Sequence, residues 1–283
     1  MHSNQWNDFF KIYLAIQKKN NAKIIISDHG GGLLPKLDPL DNFNEKVFYK
    51  RISYFRNRKK KFYINLSPTF YLINKNERKN YDGKTLLFSL TESHKFQFKP
   101  ISVPFYNDWL SELKSFIFIA KNLKKEIKDN FKFRIKNLGY FHENFFEAYK
   151  ILSEVFGKKK VDIKNRKSYF EAISKSKLVI HNYGQTSFTE CMYLNIPSII
   201  FFKKNIMQLD IFSNQIFKNM KKKNIAFEDP KKLVKHVNQN WHKLDSWWNS
   251  IEVQKLRKIY LENYFKKKDV IADWDKFLKN IKN

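Results

Sequence analysis

Cysteine is nearly absent: Cys191 is the only one in 283 residues. This excludes an internal disulfide and a cysteine-built zinc site, and it agrees with a reducing compartment. Residues 1–10 are polar and aromatic and lack the basic-then-apolar pattern of a secretory signal. The longest apolar stretches, residues 115–120 and 196–202, are much too short to span a bilayer. Neither a Walker pattern nor G-x-G-x-x-G occurs, so the standard NTP and NAD loops are excluded. Internal repeats and long low-complexity linkers are also missing. The carboxylates Asp28, Asp82, Glu92 and Asp108 are scattered without metal-site spacing, and no cofactor or metal requirement is expected. A cytoplasmic location follows as the default.

What the chain does have is apolar mass and positive charge. It is 42% hydrophobic and 17% aromatic, far more than a disordered chain carries, so it folds. Its length suits one large domain, or a domain and a half. The formal net charge is +28. One reading is a polyanionic partner, either nucleic acid or an anionic membrane surface. The other is a lysine-rich coding bias that places Lys wherever a solvated residue is needed. The runs at 59–61, 158–160, 221–223 and 266–268 are spread along the chain rather than gathered in a tail, which favours the second reading. Weak attraction to anionic membranes is then a by-product, with a peripheral position at the inner face of the cell membrane.

Helices and strands alternate in the hydrophobic pattern. Residues 4–19 read as a helix with Phe9, Ile12, Tyr13 and Ile16 on one side, and residues 23–27 as a buried strand. Residues 42–55 read as a helix and 62–66 as a strand. A polar stretch, 74–84, carries the turn signal Asp82-Gly83 and marks a domain boundary. Strand 85–90, a long helix 107–128, strand 132–137 and helix 143–156 follow. The cleanest βαβ pattern is strand 177–181, helix 186–194 and strand 197–202. Helices at 208–220, 230–240, 253–265 and 272–281 complete the chain. Such alternation predicts an α/β fold: a Rossmann-like parallel sheet flanked by helices.

In such sheets ligands bind at the carboxyl ends of strands, where the next helix presents free N–H groups. The segment Ile180-His181-Asn182-Tyr183-Gly184-Gln185-Thr186-Ser187-Phe188-Thr189-Glu190 fits this plan. Gly184 permits a tight turn and close ligand approach. Thr186, Ser187 and Thr189 offer hydroxyls at a helix start that suits a phosphate, and Glu190 is placed to reach a ribose. The competing reading is an ordinary cap, with Ser187-x-x-Glu190 as a capping box. A second candidate is the turn Asp28-His29-Gly30-Gly31-Gly32, where three successive glycines suggest a loop lying against a ligand. His29 beside it reads as a general acid/base or phosphate contact, or else as a surface histidine on a loose loop. Arg134, in the strand 132–137, has the fork to bind a phosphate bidentately, or forms a salt bridge.

The order His-Gly-Gly-Gly, an Arg strand, Val-Ile-His-Asn-Tyr-x-x-Thr-Ser-x-x-Glu, Asn195-Ile196-Pro197, and finally Ser246-Trp247-Trp248-Asn249-Ser250-Ile251-Glu252-Val253-Gln254 resembles a bacterial family of transferases for surface-polysaccharide or O-antigen biosynthesis. The resemblance covers about residues 22–265. It implies a GT-B-type glycosyltransferase, in which residues 1–84 are the remnant of an acceptor-side domain. Residues 85–283 would be the nucleotide-sugar donor domain with its C-terminal helices. It further implies that His29 to Gly32 face the reaction centre. Arg134 and the 182–190 turn would then hold the donor, and Trp247 and Trp248 would pack the C-terminal helices. The expected partners are a nucleotide-sugar donor and a glycan or lipid-linked glycan acceptor. Two departures stand out. Asp28 replaces a Gln, and there is no room ahead of His29 for a complete N-terminal Rossmann domain. The second implies either a partner chain that supplies the missing half or a shortened, inactive descendant. That last reading predicts exposed apolar surface on the helix 4–19 and around 62–66. A basic nucleic-acid-binding protein is the remaining alternative, with its aromatics stacking on bases.

Overall fold

The computed structural model describes residues 8–28, 32–33, 45–54, 61–68, 83–91, 106–135, 148–162, 168–184, 186–202, 209–263 and 270–282. The chain divides into two compact units. The first comprises Met1–Gly32, Leu37–Lys75 and Lys258–Asn283, and the second Leu33–Lys36 and Asn76–Arg257. The long segment of the second unit begins at Asn76. The last 26 residues, however, belong with the first unit rather than with the C-terminal half.

In the first unit, helix α1 (Asp8–Lys19) leads to a three-stranded parallel sheet of β1 (Ile25–Ser27), β2 (Lys50–Ser53) and β3 (Tyr63–Asn65), in that order. Residues 42–55 were expected to be helical. Among the described residues of that range only 45–47 are, and Lys50–Ser53 form the central strand instead. Burial on alternate sides decides this. Ile52 enters a cluster with Tyr54, Leu66 and the C-terminal helix residues Trp274 and Phe277, while Arg51 is drawn to a buried partner. That partner is Asp28. Its carboxylate accepts from Arg51 Nε at 3.0 Å, Ser53 Oγ at 2.9 Å and the Tyr54 amide at 3.3 Å. Asp28 is therefore a part-buried structural anchor at the end of β1. The C-terminal helix Val270–Lys282 closes the unit, its Trp274 indole donating to the Ser67 carbonyl at 2.9 Å.

The second unit contains β4 (Thr85–Leu90), α2 (Tyr106–Lys121), α3 (Lys125–Asp129), β5 (Phe131–Ile135), α4 (Ala148–Phe156), β6 (Val161–Asp162), α5 (Tyr169–Ser174), β7 (Ser176–His181), α6 (Thr186–Tyr193), β8 (Ser198–Phe201), α7 (Ile211–Lys222), β9 (Ala226–Phe227), α8 (Pro230–Asn240), α9 (Leu244–Trp248) and α10 (Ile251–Glu262). Its six strands are all parallel, in the order β6-β5-β4-β7-β8-β9. Written from the first strand of the unit, this is the doubly wound order 3-2-1-4-5-6, whose direction reverses between β4 and β7. One face carries Phe88, stacked on Phe133 at 4.7 Å and edge-on to Phe116, all covered by α2 and α8. The other packs Leu87 and Val179 against Ile173, Cys191 and Leu194 of the α5–α6 side.

The single helix expected over 107–128 is broken at 122–124. Asn238 of α8 accepts from the Lys124 amide at 2.9 Å and donates to the Asn122 carbonyl at 3.0 Å, so the groups freed by the break are satisfied by a residue more than a hundred positions away. Gly83 has a role other than the turn expected of it. A Cβ there would lie 2.5 Å from the Ser176 carbonyl carbon and 2.6 Å from the Lys177 nitrogen, both backbone atoms that cannot turn aside. Gly83→Ala is accordingly expected to cost about 1–3 kcal/mol, read as a lower denaturant midpoint at unchanged m-value; an unchanged midpoint would refute the close approach.

Candidate donor site at the sheet switch point

The switch between β4 and β7 brings several candidates to one end of one sheet. Ser89 is in register with Arg134 on one side and with His181 on the other, so Arg134 and the 182–190 turn lie two strands apart at the carboxyl edge. Two strand spacings amount to about 10 Å. Tyr169 spans this interval. The Arg134 guanidinium lies over its ring at 5.9 Å, and its hydroxyl donates to the Ser187 carbonyl in the first turn of α6 at 3.3 Å. Nothing in the sequence singles out Tyr169 or Ser89 for this role; only the register does.

Arg134 is buried, and its Nη1 lies 3.4 Å from Asp162 Oδ2, the residue opposite it on β6. The ion pair weighed from sequence is present and fixes the guanidinium at the sheet edge. Asn182 is also committed. Its side chain accepts from the Thr91 amide at 2.8 Å, donates to the Thr91 carbonyl at 2.9 Å and reaches the buried Glu112 carboxylate at 3.4 Å. It thus ties the ends of β4 and β7 together beside a small hollow lined by Leu90, Trp109 and Phe116.

Gly184 is where close approach matters. Its carbonyl accepts from the Leu33 amide at 2.8 Å, and a Cβ would sit 3.0 Å from Leu33 Cδ1 and 3.3 Å from Ile200 Cδ1. Leu33 and its neighbour Gly32 are both buried. Thr186 starts α6, so Ser187 lies inside the first turn rather than at the N-cap that a capping box requires. Thr186, Ser187 and Glu190 are half-buried, while Thr189 is fully buried. His29, Gly30, Gly31 and Gln185 lie outside the described residues.

The titratable groups here do not change charge near neutral pH. Burial pushes the Cys191 thiol and the Tyr183 phenol each up to about 12, and it holds the Tyr169 phenol well above 10. His181 is fully buried against Phe188, with neither ring nitrogen hydrogen-bonded, and burial lowers it to about 3. Cys191 is therefore not a nucleophile, and none of these four residues is suited to moving a proton. The charged groups here are the Arg134–Asp162 pair and Glu190, and the N-terminal end of α6 carries the partial positive charge that favours an anion. Among the described residues no cluster of three His, Cys, Asp or Glu could hold a metal ion, and no helix is long and apolar enough to cross a membrane.

Fold and switch point together define a GT-B-type α/β architecture. The model of the LIC12162 family transferases matches residues 1–278, and the chain belongs to that family of transferases. A comparison with curated proteins found no match. Among solved structures, the chain is similar to the wall teichoic acid polymerase TagF, with a TM-score of 0.54 at 17% identity over 94% of this chain and 69% of that one. It is also similar to Anabaena Alr3699/HepE in complex with UDP and glucose, with a TM-score of 0.53 at 8% identity over 96% and 75%. The α,α-trehalose 6-phosphate synthase of Burkholderia multivorans gives 0.51 at 9% identity over 95% and 69%. At these identities the likeness is one of fold.

Proposed function

We propose that the chain is a glycosyltransferase that moves a sugar from a nucleotide donor to a surface-glycan or O-antigen acceptor, free or lipid-linked. The observation that carries this reading is the α6 N-terminus opening at the switch point, with Arg134 fixed two strands away and Tyr169 linking the two. Membership in a transferase family supports it, as does a fold shared with a structure that holds UDP and glucose. In the proposed reaction an acceptor oxygen attacks the anomeric carbon as the sugar–phosphate bond breaks. The backbone N–H groups of residues 184–187 and Arg134 stabilise the departing phosphate, in the role other transferases give to a metal. His29 takes the acceptor proton, a role that the buried Tyr169, His181, Tyr183 and Cys191 are not suited to. Glu190 binds the ribose. A partner chain that completes the acceptor side is part of the same proposal.

Glu190 is half-buried in the first turns of α6, so its replacement should spare the fold. Glu190→Ala is expected to weaken nucleoside-diphosphate binding about tenfold or more, the loss of a charged hydrogen bond to a ligand. Isothermal titration of wild type and variant with UDP, CDP, GDP and dTDP would show this and name the base. Equal affinity in the two proteins would remove Glu190 from the site. No binding of any nucleotide by the wild type would overturn the donor-site reading.

A further inference from the structure

Strand β7 parts from β4 at Asn182. Their parallel register runs from Leu86 and Leu178 to Ser89 and His181. The Asn182 amide then donates to the Ser89 carbonyl at 3.4 Å, and the paired strands go no further. In a continued parallel ladder the Thr91 amide would donate to the Asn182 carbonyl, and the Thr91 carbonyl would accept from the Gly184 amide. Neither bond is made. The Thr91 amide donates instead to Asn182 Oδ1 at 2.8 Å, and the Thr91 carbonyl accepts from Asn182 Nδ2 at 2.9 Å. One side-chain amide thus stands in for the two backbone groups of the next ladder step. Thr91 is held as a strand neighbour would hold it, while the backbone of Tyr183 and Gly184 turns away toward α6, which starts at Thr186.

A third neighbour fixes which way this amide faces. Glu112, on α2, is buried, and its carboxylate accepts from Asn182 Nδ2 at 3.4 Å. Turned over, the amide would set its oxygen against the Thr91 carbonyl and the carboxylate, and its N–H groups against the Thr91 N–H. Only the observed orientation satisfies all three contacts. Asn182 is itself only 6% exposed.

We propose that Asn182 is a positioning residue of the donor site, with Glu112 as its anchor. The pair sets where the turn after β7 leaves the sheet, and so where α6 presents its N–H groups to the donor phosphate. It also keeps the Gly184 amide, one of the donors assigned to that phosphate, out of the ladder. The inference rests on the glycosyltransferase reading. It gives Asn182 a role exerted through the turn, in place of the direct donor contact expected from the sequence. Such a role has large leverage, because a shift of about 1 Å in a positioning element can cost about a hundredfold in rate.

The test is titration of the full chain with UDP, CDP, GDP and dTDP, for the wild type, Asn182→Asp, Glu112→Gln and the double variant, at a temperature where each is folded. Asn182→Asp keeps the shape and the acceptor for the Thr91 N–H, but it sets a carboxylate against the Thr91 carbonyl and against Glu112. Nucleotide affinity is expected to fall about tenfold or more. Adding Glu112→Gln gives the new carboxylate a donor and should recover about threefold or more of that loss. A clasp that only stabilises the fold would recover the unfolding midpoint without moving the affinity. Should Asn182→Asp fold poorly, Glu112→Gln alone carries the test. Its neutral acceptor holds Asn182 less firmly than a carboxylate does, and binding should weaken about threefold. Equal affinity in the wild type and a folded Asn182→Asp, or in Glu112→Gln where that variant stands alone, overturns the positioning role and leaves the donor-site reading intact. A loss that Glu112→Gln does not relieve overturns the clasp between the two residues. No nucleotide binding by the wild type overturns the donor-site reading, and the positioning role with it.

Discussion

Acidification from pH 7 to pH 5 is expected to remove about 4 kcal/mol of folding stability through two histidines alone, about 2 kcal/mol each. His181 is fully buried, and burial lowers its pKa from 6.5 to about 3. His236 packs against Trp247 at 5.0 Å with its Nε2 unbonded, and burial lowers it to about 4. Both imidazoles are neutral in the folded chain, so below pH 6.5 the unfolded chain binds protons that the folded chain does not. Their stabilisation is complete above pH 6.5 and declines as the pH falls toward 4 and 3. Guanidinium titrations at a series of pH values would read the slope, and variants isolate the two groups from the carboxylates. His181→Leu removes an imidazole that makes no hydrogen bond, so at pH 7 it should be neutral or stabilising. It should also flatten the acid slope by about half, and His236→Leu by a similar amount. If His181→Leu retained the full slope, or lost several kcal/mol at pH 7, the picture of an unpartnered neutral ring would be wrong.

The same histidine shows where the sequence was informative and where it was not. The strand that ends in His181, the turn after it and the helix from Thr186 were legible because strand, glycine and helix signals are local and follow in order. Strand β4 was read with its observed limits for the same reason. Nothing local distinguishes a histidine under a ligand turn from one aimed into the core. Long-range partners account for the other differences. The break at 122–124 depends on Asn238, and strand β2 depends on Asp28 drawing in Arg51. Arg134 is held by Asp162 and linked to α6 by Tyr169, contacts that require the sheet register. The periodicity of α1 was read correctly, but a period does not say which way the stripe faces. Phe9, Ile12, Tyr13 and Ile16 are exposed, whereas Phe62 and Leu66, expected to be exposed in a fragment, are buried.

Trp248→Ala is expected to cost about 3–5 kcal/mol, and nucleotide binding should be lost with it. The motif that made the C-terminal segment recognisable is a cap for the far end of α6. Helix α6 ends at Tyr193, and Asn195 follows in the left-handed region at φ 58°. The Ile196 amide donates to the Cys191 carbonyl and the Asn195 amide to that of Met192, which is the Schellman arrangement with Asn in the place usually given to Gly. Trp248 is fully buried, and its indole N–H bridges the Asn195 carbonyl and side-chain oxygen at 3.2 and 3.0 Å. Gln254 donates to the same side-chain oxygen at 3.1 Å and to the Trp248 carbonyl at 2.8 Å. Arg257 completes the cap, donating to the carbonyls of Met192 and, at 2.8 Å, Tyr193, a cation at the negative end of the helix dipole. Two further variants separate volume from polarity. Trp248→Phe keeps most of the packing and should cost about 0.5–1.5 kcal/mol, the net contribution of the lost indole hydrogen bond. Arg257→Met keeps the stem but loses the charged donors and should cost a similar amount. Because α6 is a single rigid element of eight residues, loosening its C-terminal cap should weaken nucleotide binding at its N-terminus, even at a temperature where the variant remains folded. Urea unfolding and nucleotide titration on the same three variants would establish the link. Loss of stability in Arg257→Met with unaltered nucleotide affinity would leave the cap as a stabilising device with no reach into the donor site.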